Sequence, residues 1–232
     1  MSNPLKYKYL VRGAWCVTGA ALLACGAPKT AEPPAPQGPA PIPATNLSGQ
    51  RVMVLPFTLV AADDSLGWRD QMLDRRQVIA RCDSILGTLL TERAPEPQWA
   101  LPLELRHVAQ RSAGMVGDPG QFPSSLLRFE TIVDVPDPLR SQLRNLAAVG
   151  GGRWVLVPAA LVYRKTAAPP EGRTSKPAPA VEGTGAGTAE LSLVIVDTRM
   201  GKVHWRTVSR GAGDDPWTAL TRAVKAVTPG LP

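Results

Sequence analysis

The chain has 232 residues, 44% of them hydrophobic, 19% charged and 5% aromatic, a composition that fits a globular protein and excludes fibrous or wholly disordered classes. Its formal charge is +7, but Lys6, Lys8 and Arg12 stand in a leader expected to be removed, after which 23 basic residues face 19 acidic ones, a surplus of +4. A surplus that small and dispersed is not the basic stripe of a nucleic-acid binder, so that class is excluded, while mild attraction to anionic surfaces is allowed.

Residues 1–12 carry three positive charges and no negative one, and residues 13–24 (GAWCVTGAALLA) form an uninterrupted apolar run. The run matches a signal-peptide core and is well short of the ~20 apolar residues that a membrane-spanning helix needs. It ends in Leu22-Leu23-Ala24-Cys25 followed by Gly26, with a small residue before the expected cleavage point. These residues resemble the bacterial lipobox, Leu-x-Ala/Gly-Cys. The resemblance implies a diacylglyceryl group on the Cys25 sulfur and, in many bacteria, an N-acyl chain such as palmitate. Two or three chains anchor stably where one is marginal. Cys16 does not compete, because Trp15 before it is too bulky for the cleavage pocket. By resemblance to lipoprotein sorting rules, Gly26 at the second position does not signal inner-membrane retention, so the expected address is the outer membrane, facing the periplasm, in a cell with two membranes. Cys82 is then the one cysteine left to the domain, which must be held by its core rather than by an internal disulfide.

Residues 27–45 alternate Pro and Ala with few polar groups. Such a segment cannot bury enough to fold and prefers an extended polyproline form, reaching on the order of 60 Å at ~3.1 Å per residue. The expected organisation is a leader over 1–24, a lipidated Cys and tether over 25–45, and one domain over 46–232, a length ample for one core and short for two.

The domain opens on Arg51-Val52-Met53-Val54-Leu55-Pro56-Phe57, whose continuous apolar character predicts a strand covered on both faces and ending at Pro56. A polar loop with Asp63, Asp64 and Gly67 follows. The spacing of Met72, Val78, Ile79, Cys82, Ile85, Leu86, Leu89 and Leu90 predicts a helix over about 70–92, with Arg75, Arg76, Arg81 and Asp83 on the opposite side. A short strand is expected at 98–101, and a helix opened by Pro102 runs through Leu105, Val108 and Ala109 until Gly114. Residues 115–135 are rich in Gly and Pro around an apolar patch (Phe129, Ile132, Val133) and predict no firm element. Asp137-Pro138 starts a third helix with Leu139, Leu143, Leu146 and Ala147, closed by Gly150-Gly151-Gly152.

A strand is expected from Trp154 to about Tyr163, then a low-complexity disordered insertion over about 166–188. Strands at 189–196 and 202–209 pair as a hairpin through Asp197-Thr198-Arg199-Met200-Gly201. Asp214-Asp215-Pro216 caps the last helix, with Trp217, Leu220, Val224 and Val227 facing the core. The predicted fold class is α/β, helices packed on a mixed central sheet.

Four pieces of the chain, Val-Leu-Pro-Phe at 54–57, Arg-Trp-Val-Leu-Val at 153–157, Leu-Val-Ile-Val-Asp-Thr-x-x-Gly-Lys-Val-x-Trp at 193–205 and the terminal helix, resemble one group of periplasmic α/β domains. The group holds the curli-secretion lipoproteins, the amino-terminal domain of the Tol-system propeller protein and outer-membrane lipoprotein activators of peptidoglycan synthases. The resemblance implies a scaffold or binding domain rather than an enzyme; fold alone does not fix function.

The residues themselves assemble no catalytic set. His107 falls on a predicted helix, His204 within a strand, and Cys82 on a core stripe, so no nucleophile–base pair or N/S metal site is predicted. Asp63-Asp64 reads as a solvated loop and Asp214-Asp215 as a helix cap. Gly183-Thr184-Gly185-Ala186-Gly187 leads into a strand, whereas a phosphate loop needs a helix amino terminus. No cofactor, metal or small-molecule substrate is expected. Trp154, Trp205 and Trp217 fall on core faces; Trp68 and Trp99 lie in or beside loops and are the candidate partner contacts. The expected function is that of a lipid-anchored, non-enzymatic envelope protein that binds an envelope protein or a peptidoglycan-linked partner. The rivals are a curli-type secretion channel and a peptidoglycan-synthase activator. The channel reading is disfavoured because 166–188 is proline-rich and lacks the period-2 pattern of a barrel strand.

Overall fold

In the computed structural model, residues 38–166 and 180–228 are described; the expected lipobox with Cys25, and the expected tether up to residue 37, lie outside them. Six strands form one mixed sheet: β1 (Arg51–Val54), β2 (Val60–Ala62), β3 (Gln98–Ala100), β4 (Trp154–Lys165), β5 (Gly187–Asp197) and β6 (Lys202–Gly213). Among the described residues four α-helices accompany them: α1 (Arg75–Arg93), α2 (Pro102–Arg111), α3 (Leu139–Gly150) and α4 (Pro216–Val227). The strand order is β3-β1-β4-β5-β6. β1 is parallel to both β3 and β4, and β4, β5 and β6 are successively antiparallel. The fold is thus of the α/β class that the patterning predicts.

Helices cover both faces, which is why β1 and β4 read as unbroken apolar runs. On one face, Val52, Val54, Leu156, Leu191, Leu193 and Ile195 pack against α1 and α4 through Val78, Cys82, Leu86, Leu90, Leu220 and Val224. On the other, Met53, Leu55, Val155, Val157, Val194 and Val196 pack against α2 and α3 through Leu105, Leu139, Leu143 and Leu146.

Several boundaries differ from expectation, each for a local reason. The strand expected over 51–57 ends its regular ladder at Val54. Leu55 N–H still donates to the Leu156 carbonyl at 2.9 Å, but Pro56 has no N–H and the chain leaves the sheet. It returns as β2, in what the sequence presents as a polar loop, alongside the far half of β4 (Val60 to Leu161, Ala62 to Tyr163). Phe57 N–H, left behind by that departure, donates to Asp83 Oδ1 at 2.9 Å. Asp83, expected on the exposed side of its helix, is therefore buried, its other oxygen accepting from Arg106 at 2.6 Å. The helix expected from residue 70 begins at Arg75. Asp74 accepts from the N–H groups of Arg76 and Gln77, a cap that a longer helix would forfeit, and Arg69–Met72 form only a 3-10 turn.

The edge of the domain also moves. Ile42, Ala44 and Leu47 are buried, and Ile42 N–H donates to the Val227 carbonyl at 2.9 Å, so 42–45 of the expected tether belong to the packed domain. The insertion expected over 166–188 narrows at both ends. Thr166 N–H donates to Ala186, Glu182 pairs with β6, and β5 begins at Gly187, while 167–179 fall outside the described residues. Between α2 and α3 the unassigned 115–135 stretch makes two 3-10 turns, Pro119–Gln121 and Ser124–Arg128, burying Val116, Phe122, Leu127 and Val135.

Candidate binding surface

The two faces of the sheet are not equally covered. α2 and α3 are short and roof only the end of the sheet that holds Val155 and Val196. Beyond the bulge at Pro158/Ala160, alternation brings Ala160, Val162 and Arg164 of β4, Glu190 and Ser192 of β5, and Arg206, Val208 and Arg210 of β6 onto the same face. All of these side chains but that of Arg206 floor an open concavity of about 640 Å³ whose rim is Arg128, Phe129 and Glu130. A second concavity of about 500 Å³, lined by Glu130, Ile132, Val133 and β6 from Val203 to Val208, continues it to the outer edge of the sheet.

The charges of this trough are unbalanced. Arg128, Arg164, Arg206 and Arg210 line it against Glu130 and Glu190. Glu190 is matched already: its Oε2 accepts from Arg210 Nε at 3.0 Å and Nη2 at 2.8 Å. Arg206 donates through Nη1 to the Phe129 carbonyl (2.7 Å) and through Nη2 to that of Ile132 (2.8 Å), clipping the 129–132 turn against β6. Arg128 lies over the Phe129 ring at 4.7 Å. Phe129 is 48% and Val133 58% exposed, so the rim offers apolar contact next to cationic groups.

At the opposite end of the β5–β6 hairpin the Asp-Thr-x-x-Gly motif acquires a physical role. Asp197 Oδ1 accepts from Arg199 and Met200 N–H and closes the turn, while Oδ2 accepts from Arg153 at 3.1 and 2.5 Å. Thr198 donates its N–H and hydroxyl to the Arg153 carbonyl. The Arg153 guanidinium holds the Asp197 carboxyl below the usual carboxylate range. The motif is a brace for the hairpin.

A third concavity, about 540 Å³, lies between α1 and α2, floored by Ala80, Ser84, Gly87 and Thr88 and walled by Leu101 and Leu103. The Asp83–Arg106 pair closes its bottom; burial pushes the Asp83 carboxyl up, against the lowering pull of Phe57 N–H and Arg106.

The predicted contact residues fall elsewhere. Trp68 is only 5% exposed: its indole N–H donates to the Asp214 carbonyl at 3.1 Å and its ring meets Tyr163 edge-on at 5.5 Å. Gly187 exists for this packing, since a Cβ there would lie 2.4 Å from the Trp68 ring. Trp68 is a core residue, invisible as such because its partners lie far along the chain. Trp99 is half-buried against the α1 side of the core and donates to the Ala94 carbonyl at 2.7 Å. Cys25 lies outside the described residues. His107 and His204 are exposed on separate elements, and among the described residues no His, Cys, Asp and Glu gather as a metal site. Asp215 caps α4, as the sequence predicts, accepting from Trp217 and Thr218 N–H. Sequence reasoning missed the trough; its only local signal was the Phe129/Ile132/Val133 patch.

These features define the chain as a helix-covered α/β domain with one bare, arginine-bearing stretch of sheet. It matches no family model and no curated protein. Among solved structures it is similar to the LpoB C-terminal domain from Salmonella enterica, at 12% identity over 71% of this chain and 84% of that one, with a TM-score of 0.35. It is similar also to the PelC L103M dodecamer from Paraburkholderia phytofirmans (11%, 83% and 94%, TM-score 0.33). Lipoprotein GNA1162 from Neisseria meningitidis is a third (15%, 69% and 78%, TM-score 0.30). At such TM-scores the likeness carries no functional inference for this chain.

Proposed function

We propose that the chain is a lipid-anchored protein of the bacterial cell envelope, facing the periplasm from the outer membrane, that binds another envelope component and catalyses nothing. The observation that carries the reading is the lipobox Leu22-Leu23-Ala24-Cys25 ahead of a proline-rich tether and a folded domain. Acylation of Cys25 would confine the domain to a membrane surface and raise its effective concentration for a partner there. The bare trough over β4, β5 and β6 supports binding as the domain's task, because exposed Phe129 and Val133 beside arginines make the mixture of apolar and cationic groups found at interfaces.

The test is Cys25→Ala, combined with a leader recut to end in Ala-x-Ala so that ordinary signal peptidase still processes it. The parent should sediment with membranes and carry the mass of its acyl groups; the variant should be soluble in the periplasm and lack that mass. Equal membrane retention with no acyl mass on the parent would overturn the reading. A photo-crosslinking residue placed at Phe129 then identifies the neighbour by mass spectrometry.

A further inference from the structure

β6 is the outermost strand on its side of the sheet, and the described residues fill the lane beside it only at the two ends. At one end Val203 N–H donates to the Val133 carbonyl at 2.8 Å and Val135 N–H to that of Gly201 at 2.9 Å. At the other, Glu182 N–H donates to the Arg210 carbonyl at 3.0 Å and Ala212 N–H to that of Glu182 at 2.8 Å. The alternation that turns the backbone groups of Arg210 and Ala212 outward turns those of Arg206 and Val208 outward too. Among the described residues no strand lies beside them. The gap from Val203 to Arg210 measures roughly 20–25 Å at about 3.4 Å per residue. Its outer wall is the 129–133 turn that Arg206 clips in place, and the cleft between wall and strand is the 500 Å³ concavity.

The geometry points to this gap as the place where a short, extended, acidic segment of a partner protein joins the sheet as a further strand beside β6. The inference rests on the binding role proposed above and supplies the partner's chemistry. Backbone N–H and C=O of Arg206 and Val208 supply ladder bonds, and alternate side chains of the added strand fall over the bare face. Across the two joined concavities Arg128, Arg164 and Arg206 outweigh Glu130, while Glu190 is already neutralised by Arg210, so carboxylates at alternate positions are the complementary choice. The length follows from the ends. A second copy of β6, or any strand longer than about six residues, would run into 133–135 on one side and Glu182 on the other. Plugs alone would serve to protect an edge from aggregation; the arginine-lined cleft beside the open stretch is what protection does not require.

The experiment uses the lipidated full chain in detergent micelles and fluorescence polarisation with a labelled Asp-Val-Asp-Val-Asp-Val peptide. Its Lys-Val counterpart should bind at least about tenfold more weakly. Of two N-methylated forms, each blocking one alternate set of amides, one should lose about tenfold and the other bind like the parent, because only one set faces β6. Val208→Pro removes an outward donor at an edge position where proline is tolerated, and should cost about tenfold with an unchanged melting curve. Should that variant melt early, Arg164→Glu, on the floor and away from the edge, should weaken the acidic peptide instead. Equal binding of both methylated forms, equal binding of the lysine peptide, displacement by anionic phosphatidylglycerol vesicles as effective as by peptide, or no binding at all would each overturn strand addition. A partner crosslinked at Phe129 in cells while no peptide binds would remove this inference and leave the binding role standing.

Discussion

Asp83 and Asp197 are both buried carboxylates, and their surroundings push them in opposite directions. Burial raises the folded pKa of Asp83, so its linkage favours folding at low pH, and that contribution is lost as pH rises through the folded value. Arg153 lowers that of Asp197; its contribution is present above 3.8 and lost as pH falls through the depressed folded value. Asp197→Asn keeps an acceptor for the turn but gives up the ionic bond to a half-exposed Arg153. It should lower stability at pH 7 by about 1 kcal/mol, with the gap to the parent narrowing in urea unfolding repeated below pH 3.8. A gap unchanged between the two pH values would show that the brace does not depend on charge. Residue roles were unevenly legible. Cys82 reads as core from the helical stripe alone, and burial indeed pushes its thiol up to about 12. Asp83 and Trp68 do not, because their partners, Phe57 with Arg106 and Asp214 with Tyr163, are separated from them by long stretches of chain and become neighbours only in the folded domain.

At the scale of elements, what is written locally was readable. Asp215 before Pro216 announces the start of α4, Gly151 ends α3, and the Asp-Thr-x-x-Gly turn joins β5 to β6. β2 escaped, since three residues between polar loops carry no period, and its existence depends on Pro56 expelling the chain from a ladder that β4 then offers again. The bare face escaped for the same reason: alternation within β4, β5 and β6 is visible, but which half of each strand a helix covers is set by packing. The packing of α4 on β6 shows how close such fits run. A Cβ on Gly211 would lie 2.3 Å from the Ala223 nitrogen and 2.4 Å from the Ala219 carbonyl oxygen, both helix backbone that cannot swing aside. Gly211→Ala should therefore force α4 off the sheet and cost on the order of 2–3 kcal/mol in denaturant unfolding. A loss below about 0.5 kcal/mol would mean that the helix rides more loosely than the structure has it.

For the whole molecule, the packing of Ile42 against the end of α4 sets where restraint by the fold begins. From Cys25 to Ile42 the backbone spans at most about 60 Å, so an acylated Cys25 would keep Ile42, where the packed domain begins, within that distance of the membrane surface. Tethering raises the effective concentration for a partner within reach above that of a protein free in a compartment. If confinement is the whole of the anchor's contribution, its loss must be repairable by mass action. The Cys25→Ala form, released from the membrane and carrying the crosslinker at Phe129, should give a reduced yield of the partner adduct at native expression. The yield should return when that form is overproduced by a factor of roughly 10²–10⁴, and binding of the acidic peptide in vitro should not change. An undiminished yield at native expression would show that the tether is dispensable. A yield that stays low at high levels, with the domain folded, would mean that the anchor orients the trough towards its partner as well as keeping it near.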